Sequence, residues 1–497
     1  MVRTEGFRSA NQTCTLSLGC LMDSSTRSTV ILGGGFVGLF TALHLCHKRY
    51  SQPIILIDQA ERFVFKPLLY ELLSSEMTTN QVWPRFTELL NCDAVTFVQG
   101  RVAAIDLEKQ EIKLGSNLCY AYDRLVLGLG STANYFGIPG AHEQTFSLRD
   151  GSDAIALAQH LRARLQQASQ TRDRQQRQAL LTTVIVGAGP AGIEMAATLG
   201  DLLPEWYRKL NGDIDEIRIV VLNRSEQILK GDLNGKLRET TLQALDSRTV
   251  RPEILAKATV QKVLPDRVMY QQAGTDHEIP AATVVWAAGN EVHPLIKSLP
   301  VEERDRAGRL KVLPTLQLPA FSNVFAAGDV SILDEPLPAT AQVAYQQGAG
   351  IAHNLVALAQ NAPLKPAKVS LRGTLMKLGL REGAAYLFDK VLISGRAGHL
   401  MRQGTYLELL PNPVHNFKAT IEWLTEEVFQ AHSPAARPQP APAGRFKWVG
   451  DGLVVTAAAA SLLLFWRTVE PVTFTRTLEP TGIPTVLNYL QGSQASE

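Results

Sequence analysis

Residues 29–58 read TVILGGGFVGLFTALHLCHKRYSQPIILID. A β-branched, apolar run at 29–32 meets glycines at once. Apolar residues then recur at helical spacing to Leu45, and a second apolar run, 54–57, closes on Asp58. That order predicts strand, tight turn, helix, strand. The glycines stand as Gly33-x-Gly35-x-x-Gly38. The first makes the turn, the second lets a pyrophosphate reach the backbone, and the third lets the helix pack closely on the strand. Helix N-terminal amides then face the phosphates. Asp58 lies 20 residues past Gly38, where a carboxylate can accept ribose hydroxyls.

The pattern returns from Thr183 as TVIVGAGPAGIEMAATLG, followed by IRIVVLN at 217–223. Gly187, Gly189 and Gly192 repeat the spacing, with Glu194 two residues on. Two such units in one chain suggest two dinucleotides, FAD and a nicotinamide nucleotide. The second unit lacks the acid at its strand end and carries Asn223 and Arg224 there. Loss of a 2′-hydroxyl acceptor beside a guanidinium favours a 2′-phosphate, and so NADPH over NADH. Between the units, 154–181 is rich in Gln and Arg with Leu and Ala at helical spacing. It reads as a solvated helix with a long polar loop.

Further on, NVFAAGDV (323–330) reads as a buried strand ending on Gly328-Asp329, able to aim one carboxylate at a flavin's ribityl chain. TVVWAAG (283–289) is a similar strand ending on Gly289. In ATAQVAYQQGAGIAHNL (339–355), Gln342 and Gln346 are four apart and share a helix face. Two amides among small residues can hydrogen-bond a quinone carbonyl; pattern alone fits a solvated face as well.

The chain is 497 residues long, 45% hydrophobic and 19% charged, which excludes a largely disordered protein and calls for more than one core. Lys and Arg number 49 against 47 Asp and Glu, so no basic excess calls for nucleic acid. Cys14, Cys20, Cys46, Cys92 and Cys119 form no C-x-x-C pair, which fits a reducing compartment and argues against structural zinc. No metal site is expected. The longest uncharged apolar run near the C-terminus, 452–466, has 15 residues and would rise about 22 Å as a helix, short of a bilayer core near 30 Å.

These stretches, with FKPLLYELLSSE (65–76), LVLGLGSTANYFGIPGAHE (125–143, containing Gly130) and AQVAYQQG, resemble the type II, non-pumping NAD(P)H:quinone oxidoreductases. The proline-rich extension and missing acid are similar to the cyanobacterial and plastid demethylphylloquinone reductase subgroup. The resemblance implies an α/β fold of disulfide-reductase-like flavoprotein architecture. Two Rossmann-type domains bind FAD and NAD(P)H, and a C-terminal region associates with a membrane. It implies that NADPH or NADH is oxidised and a membrane quinone, a naphthoquinone or plastoquinone, is reduced. It places Glu194 near both nicotinamide and flavin, and Gln342 and Gln346 at the quinone. GLGS at 128–131 departs from the usual ATGS.

The expected organisation is a disordered arm (1–26), FAD-binding segments (27–150 and 301–365) and an NAD(P)H domain with a helical insertion (151–300). A membrane-interface region (366–432), a Pro/Ala linker (433–445) and an apolar segment with a polar tail (446–497) follow. Arg396, Met401, Arg402, Tyr406, Leu409, Leu410, Phe417, Trp423, Leu424 and Phe429 suit a helix lying in a membrane interface, on the reducing side of a plasma or thylakoid membrane. The other reading of that helix is packing on the protein or on a second subunit of a homodimer. The 452–466 segment reads equally as an anchor or a dimer contact. A flavin-dependent redox sensor and a reductase of a protein electron carrier are the competing functions.

Arg224→Ala is expected to raise KM for NADPH about tenfold or more while leaving that for NADH nearly unchanged, the loss of one charge-assisted contact. Steady-state kinetics with both nucleotides measures it, and an unchanged ratio removes Arg224 from selection.

Overall fold

The computed structural model describes residues 28–230, 235–388 and 390–410. The N-terminal arm, the Pro/Ala linker, the 452–466 segment and Phe417, Trp423, Leu424 and Phe429 lie outside the described residues.

The opening stretch folds as its pattern predicts. Strand β1 (Thr29–Leu32), helix α1 (Phe36–His47) and strand β2 (Ile54–Asp58) form a parallel βαβ unit with Gly33 to Gly38 at its first turn. All four residues of β1 are buried, as expected for a parallel strand covered on both faces. The sheet adds β3 (Val95–Gln99) and β4 (Arg124–Leu127). A later return of the chain adds β9 (Gln317–Leu318) and β10 (Phe321–Ala326), in the order β9-β10-β4-β1-β2-β3. Strand β10 pairs parallel with β4, Val324 opposite Leu125, so residues some two hundred apart share one register. Only β9 runs antiparallel to its neighbour.

The second unit builds a four-stranded parallel sheet. Its strands are β5 (Thr182–Val186), β6 (Arg218–Asn223), β7 (Glu253–Ala256) and β8 (Thr283–Trp286), ordered β7-β6-β5-β8. Chain crosses between the sheets twice, and the two crossings pair as an antiparallel ribbon, Ser131–Ala133 against Asn290–Val292.

The Gln/Arg-rich stretch before β5 differs from its reading. It is two helices, α3 (Gly151–Gln170) and α4 (Arg174–Leu181), and the long polar loop is only residues 171–173. Asp150 accepts from the amides of Ser152 and Asp153, and Asp173 from those of Gln175 and Gln176. Each aspartate starts its own helix by satisfying orphan amides. A stripe of Leu157, Leu161 and Leu165 is buried against the second core; the polar residues cover the opposite face.

After helix α6 (Ala341–Ala359) comes a separate antiparallel sheet: β11 (Gly373–Gly379), β12 (Glu382–Leu387) and β13 (Val391–Ser394). Helix α7 (Gly395–Glu408) lies against it. This corrects the interface reading for the described part of that region. Arg402 is fully buried and His399, Gln403, Leu407 and Leu410 nearly so, so the helix packs on the protein.

Cys46 does not stand alone. It is joined to Cys92, with Cα atoms 6.2 Å apart, tying the last turn of α1 to the chain entering β3. The pair sits a helix length, roughly 16 Å, from the glycine turn, too far to serve as a redox dithiol there.

Cys46→Ser is expected to lower Tm in oxidised protein, a loss of about 2–4 kcal/mol, and to leave Tm unchanged under dithiothreitol. Thermal melts of both proteins in both conditions measure it; equal melting in oxidant would remove the staple.

Candidate active site

The two glycine turns divide their labour identically. At Gly33, with φ 91°, an added Cβ would lie 2.5 Å from the Gly128 carbonyl oxygen, and at Gly38 it would lie 1.9 Å from that of Gly33. At Gly187, φ 104°, and Gly192 the contacts are 3.0 Å to the Ala287 oxygen and 1.9 Å to the Gly187 oxygen. These four positions are closed by backbone. Gly35 and Gly189, by contrast, meet nothing within 4 Å. Each is the N-cap of its helix, α1 or α5 (Pro190–Arg208), and neither cap has a side-chain hydrogen bond. Two helix starts therefore point uncapped amides into open space, which suits an anionic pyrophosphate.

Asp58 ends β2 beside the first turn. Its Oδ2 accepts from the Gly34 amide at 2.6 Å and its Oδ1 from the Ala60 amide at 2.8 Å. Burial raises its pKa, and the backbone amides oppose that rise. Carboxylate oxygens have a second lone pair each, leaving room for ribose hydroxyls.

At the end of β6, Asn223 is buried and its amide donates to the carbonyls of Ser225 and Gln227, 2.8 and 3.0 Å away. It braces the turn. Arg224, next to it, is exposed. The missing acid is thus replaced by a structural amide and an outward guanidinium.

Gly130, Gly289 and Gly328 all adopt positive φ, 68°, 74° and 70°. An added Cβ at Gly289 would strike the Phe136 ring at 2.4 Å, whereas Gly130 has nothing within 4 Å. The Asp329 carboxylate accepts from Ser131 Oγ at 2.6 Å, joining the end of β10 to the crossing ribbon. The buried Gln347 accepts from the Gly328 amide at 2.8 Å through its Oε1. Sequence reasoning passed over both Ser131 and Gln347; the latter stands five residues after Gln342, off the face that Gln342 and Gln346 share.

Gln342 and Gln346 do share one face of α6, and neither is merely solvated. Gln342 Oε1 accepts from the Arg372 amide at 2.9 Å. Gln346 Oε1 accepts from the Ser370 amide at 2.9 Å, and its Nε2 donates to the Ser370 carbonyl at 3.0 Å. The pair therefore holds residues 370–372 against the helix, in the manner of a strand neighbour. Leu371 between them and Phe388 and Val391 nearby are about half exposed, at 47%, 55% and 53%; the Phe388 amide donates to the Arg372 carbonyl at 3.2 Å.

Glu194, in the second turn of α5, does not cap its own helix. Its Oε1 accepts from the Lys377 amide of β11 at 2.7 Å. Burial, the largest influence, raises its pKa to about 7 against the opposing pull of Arg402. A carboxyl raised toward neutrality in this way can both give and take a proton.

Beneath it lies a charge cluster that sequence reasoning missed. Glu71, on α2 (Leu69–Ser74), is fully buried and receives Lys377 Nζ at 3.3 Å, Arg402 Nη1 at 2.5 Å and Gln403 Nε2 at 3.1 Å on Oε1. Lys377 also binds Glu76. Burial works to raise the Glu71 pKa, but Arg402 and then Lys377 hold it well below its ordinary range. The one available signal was Glu71 standing inside the apolar run PLLYELL.

Residues 27–348 match the family model described as pyridine nucleotide-disulphide oxidoreductase. The chain is 33% identical over 411 residues to demethylphylloquinone reductase NdbB of Synechocystis sp., covering 80% of this chain and 95% of that one. It is 31% identical to the alternative NAD(P)H-ubiquinone oxidoreductase C1, chloroplastic/mitochondrial, of Arabidopsis thaliana, over 81% of this chain and 82% of that protein. Among solved structures, NDH2 from Plasmodium falciparum in complex with NADH superposes with a TM-score of 0.73 at 17% identity, over 81% of this chain and 98% of that one.

Gly35→Ala is expected to leave the apo-protein Tm within about 1 °C of wild type, a surface-like change, and to abolish flavin retention. Gly38→Ala, facing a carbonyl, is expected to destabilise the fold itself. Melting curves and the visible flavin spectrum of the two purified proteins separate these outcomes.

Proposed function

The chain belongs to the pyridine nucleotide-disulphide oxidoreductases and, within them, to the type II NAD(P)H:quinone oxidoreductases, and on that premise we propose that it uses FAD to oxidise NADPH in preference to NADH and reduces a membrane naphthoquinone or plastoquinone. The observation that carries this reading is the pair of matched glycine cradles, each open at its central glycine and each with an uncapped helix start.

Gly33, Gly35, Gly38, Asp58, Gly130, Gly328 and Asp329 would hold FAD, and Gly187, Gly189, Gly192, Asn223, Arg224 and Gly289 the nicotinamide nucleotide. FAD, when bound, supplies a two-electron acceptor that can be emptied into a quinone. The chain's own contribution is position and charge. The ribbon at 131–133 and 290–292 fixes the two cradles relative to each other, which makes transfer between their occupants effectively unimolecular. Glu194, poised near pKa 7, holds or releases the proton that accompanies the electrons to the quinone. Arg224 is free to meet a 2′-phosphate because Asn223, and not an acid, ends β6.

Gln342 and Gln346 are the quinone's hydrogen-bonding groups in this reading. Their present tie to residues 370–372 places them beside the half-exposed Leu371 and Phe388. An apolar edge next to paired amides supports a long-tailed quinone arriving from a membrane surface, with the protein peripheral to it. No helix among the described residues is long and apolar enough to cross a membrane. Demethylphylloquinone, the substrate class in the name of the Synechocystis relative, is the favoured acceptor.

Stopped-flow spectroscopy tests the reading directly. Rapid bleaching of the flavin by NADPH followed by rapid reoxidation with a naphthoquinone is expected; bleaching without reoxidation would favour a sensor or a protein-carrier reductase. Gln342→Ala combined with Gln346→Ala is expected to slow reoxidation tenfold or more while leaving bleaching nearly intact, the pattern of lost hydrogen bonds to one substrate. Equal loss in both half-reactions would move the quinone elsewhere.

A further inference from the structure

Two acidic and two basic side chains form a linked cluster beside Glu194, which accepts from the Lys377 amide at 2.7 Å. They come from three distant parts of the chain: Glu71 and Glu76 on and after α2, Lys377 on β11, and Arg402 on α7. Glu71, Lys377 and Arg402 are all 0% exposed. Arg402 also donates to the Pro67 carbonyl through Nη2 at 2.5 Å and lies over the Tyr406 ring, 4.9 Å from its centre. Such a cluster is not explained by stability, because buried ion pairs seldom outperform apolar packing of the same volume.

Its charge balance is informative. Two acidic groups face two basic ones. Glu194 adds a third carboxyl, held by the Lys377 backbone amide, and is the member that the paired acids and bases do not already match. The remaining groups around it are uncharged at neutral pH: Tyr70, whose hydroxyl donates to the Ala191 carbonyl of α5 at 3.1 Å, Tyr406 on α7, and the buried His399 on α7. Burial and then Lys377 keep His399 neutral, with a pKa lowered to about 4.

We propose that Arg402 and Glu71 are positioning residues of opposite sign that set the pH at which Glu194 gives up its proton, and thereby the pH dependence of electron delivery to the quinone. Arg402 draws the Glu194 proton off and Glu71 holds it on. Helix α7, the last among the described residues, thus acts on Glu194 through one guanidinium. The inference rests on the role given to Glu194 above.

Opposite signs make a test that misfolding cannot imitate. Glu71→Gln removes a negative charge and is expected to move the midpoint of the Glu194 titration down by about one pH unit or more, and Arg402→Met to move it up by a similar amount. The double variant is expected to return towards wild type. The readouts are the carboxylic C=O infrared band lost in Glu194→Gln, followed against pH, and the pH profile of flavin reoxidation by a soluble naphthoquinone. Arg402→Lys, which keeps the charge, should hold the wild-type midpoint if Arg402→Met fails to fold. Shifts of the same sign in Glu71→Gln and Arg402→Met, or no shift in Glu71→Gln, overturn the inference while the role of Glu194 stands. A reoxidation profile unchanged in Glu194→Gln overturns that role, and this inference with it.

Discussion

Everything in this molecule hangs on the closeness with which α1 and α5 press on the turns that precede them. At Gly38 and Gly192 a single methyl group would fall 1.9 Å from a backbone oxygen, inside any permitted contact. That closeness brings each helix start directly over its turn, where its amides are left for a ligand. The central glycines stay open because nothing in the protein needs that space. Close packing on one side of the turn and vacancy on the other are two consequences of the same geometry.

A second constraint operates where the chain closes on itself. The first sheet is completed by β10, and the region near Glu194 by β11 and α7. Late segments thus supply charge to early ones. Lys377 and Arg402 neutralise Glu71 and Glu76, and Arg248 does similar work nearby by bridging Asp201 of α5 at 2.6 Å to Glu382 of β12. The sheet β11-β12-β13 and helix α7 are tied to α2 and α5 through these ion pairs as well as through apolar packing. Burying a charge without its partner is costly, so Glu71, Lys377 and Arg402, all fully buried, depend on one another.

The glutamine pair shows how much helix spacing leaves open. Its amides mimic a strand edge and hold residues 370–372. In the proposed function the same two side chains would have to turn an N–H toward a quinone carbonyl, since a carbonyl can only accept. Nothing in helix spacing distinguishes these uses, because spacing says which residues share a face and leaves open what the face meets.

The local signals in the sequence determined both βαβ units, the tight and the open glycine positions, Asp58 at its strand end, Asn223 where an acid is expected, and the shared face of Gln342 and Gln346. Each of these depends on residues within about sixty positions, where turn chemistry and apolar periodicity act directly. Tertiary structure alone decided the rest. It paired Cys46 with Cys92, gave Ser131 to Asp329, split 151–181 into two capped helices, and turned Arg402 inward where an amphipathic reading put it at a lipid surface. The physical reason is common to all of them. A polar side chain carries no mark of its partner, and whether an arginine faces water or a buried carboxylate is fixed by the neighbour that folding brings, here Glu71 from more than three hundred residues away.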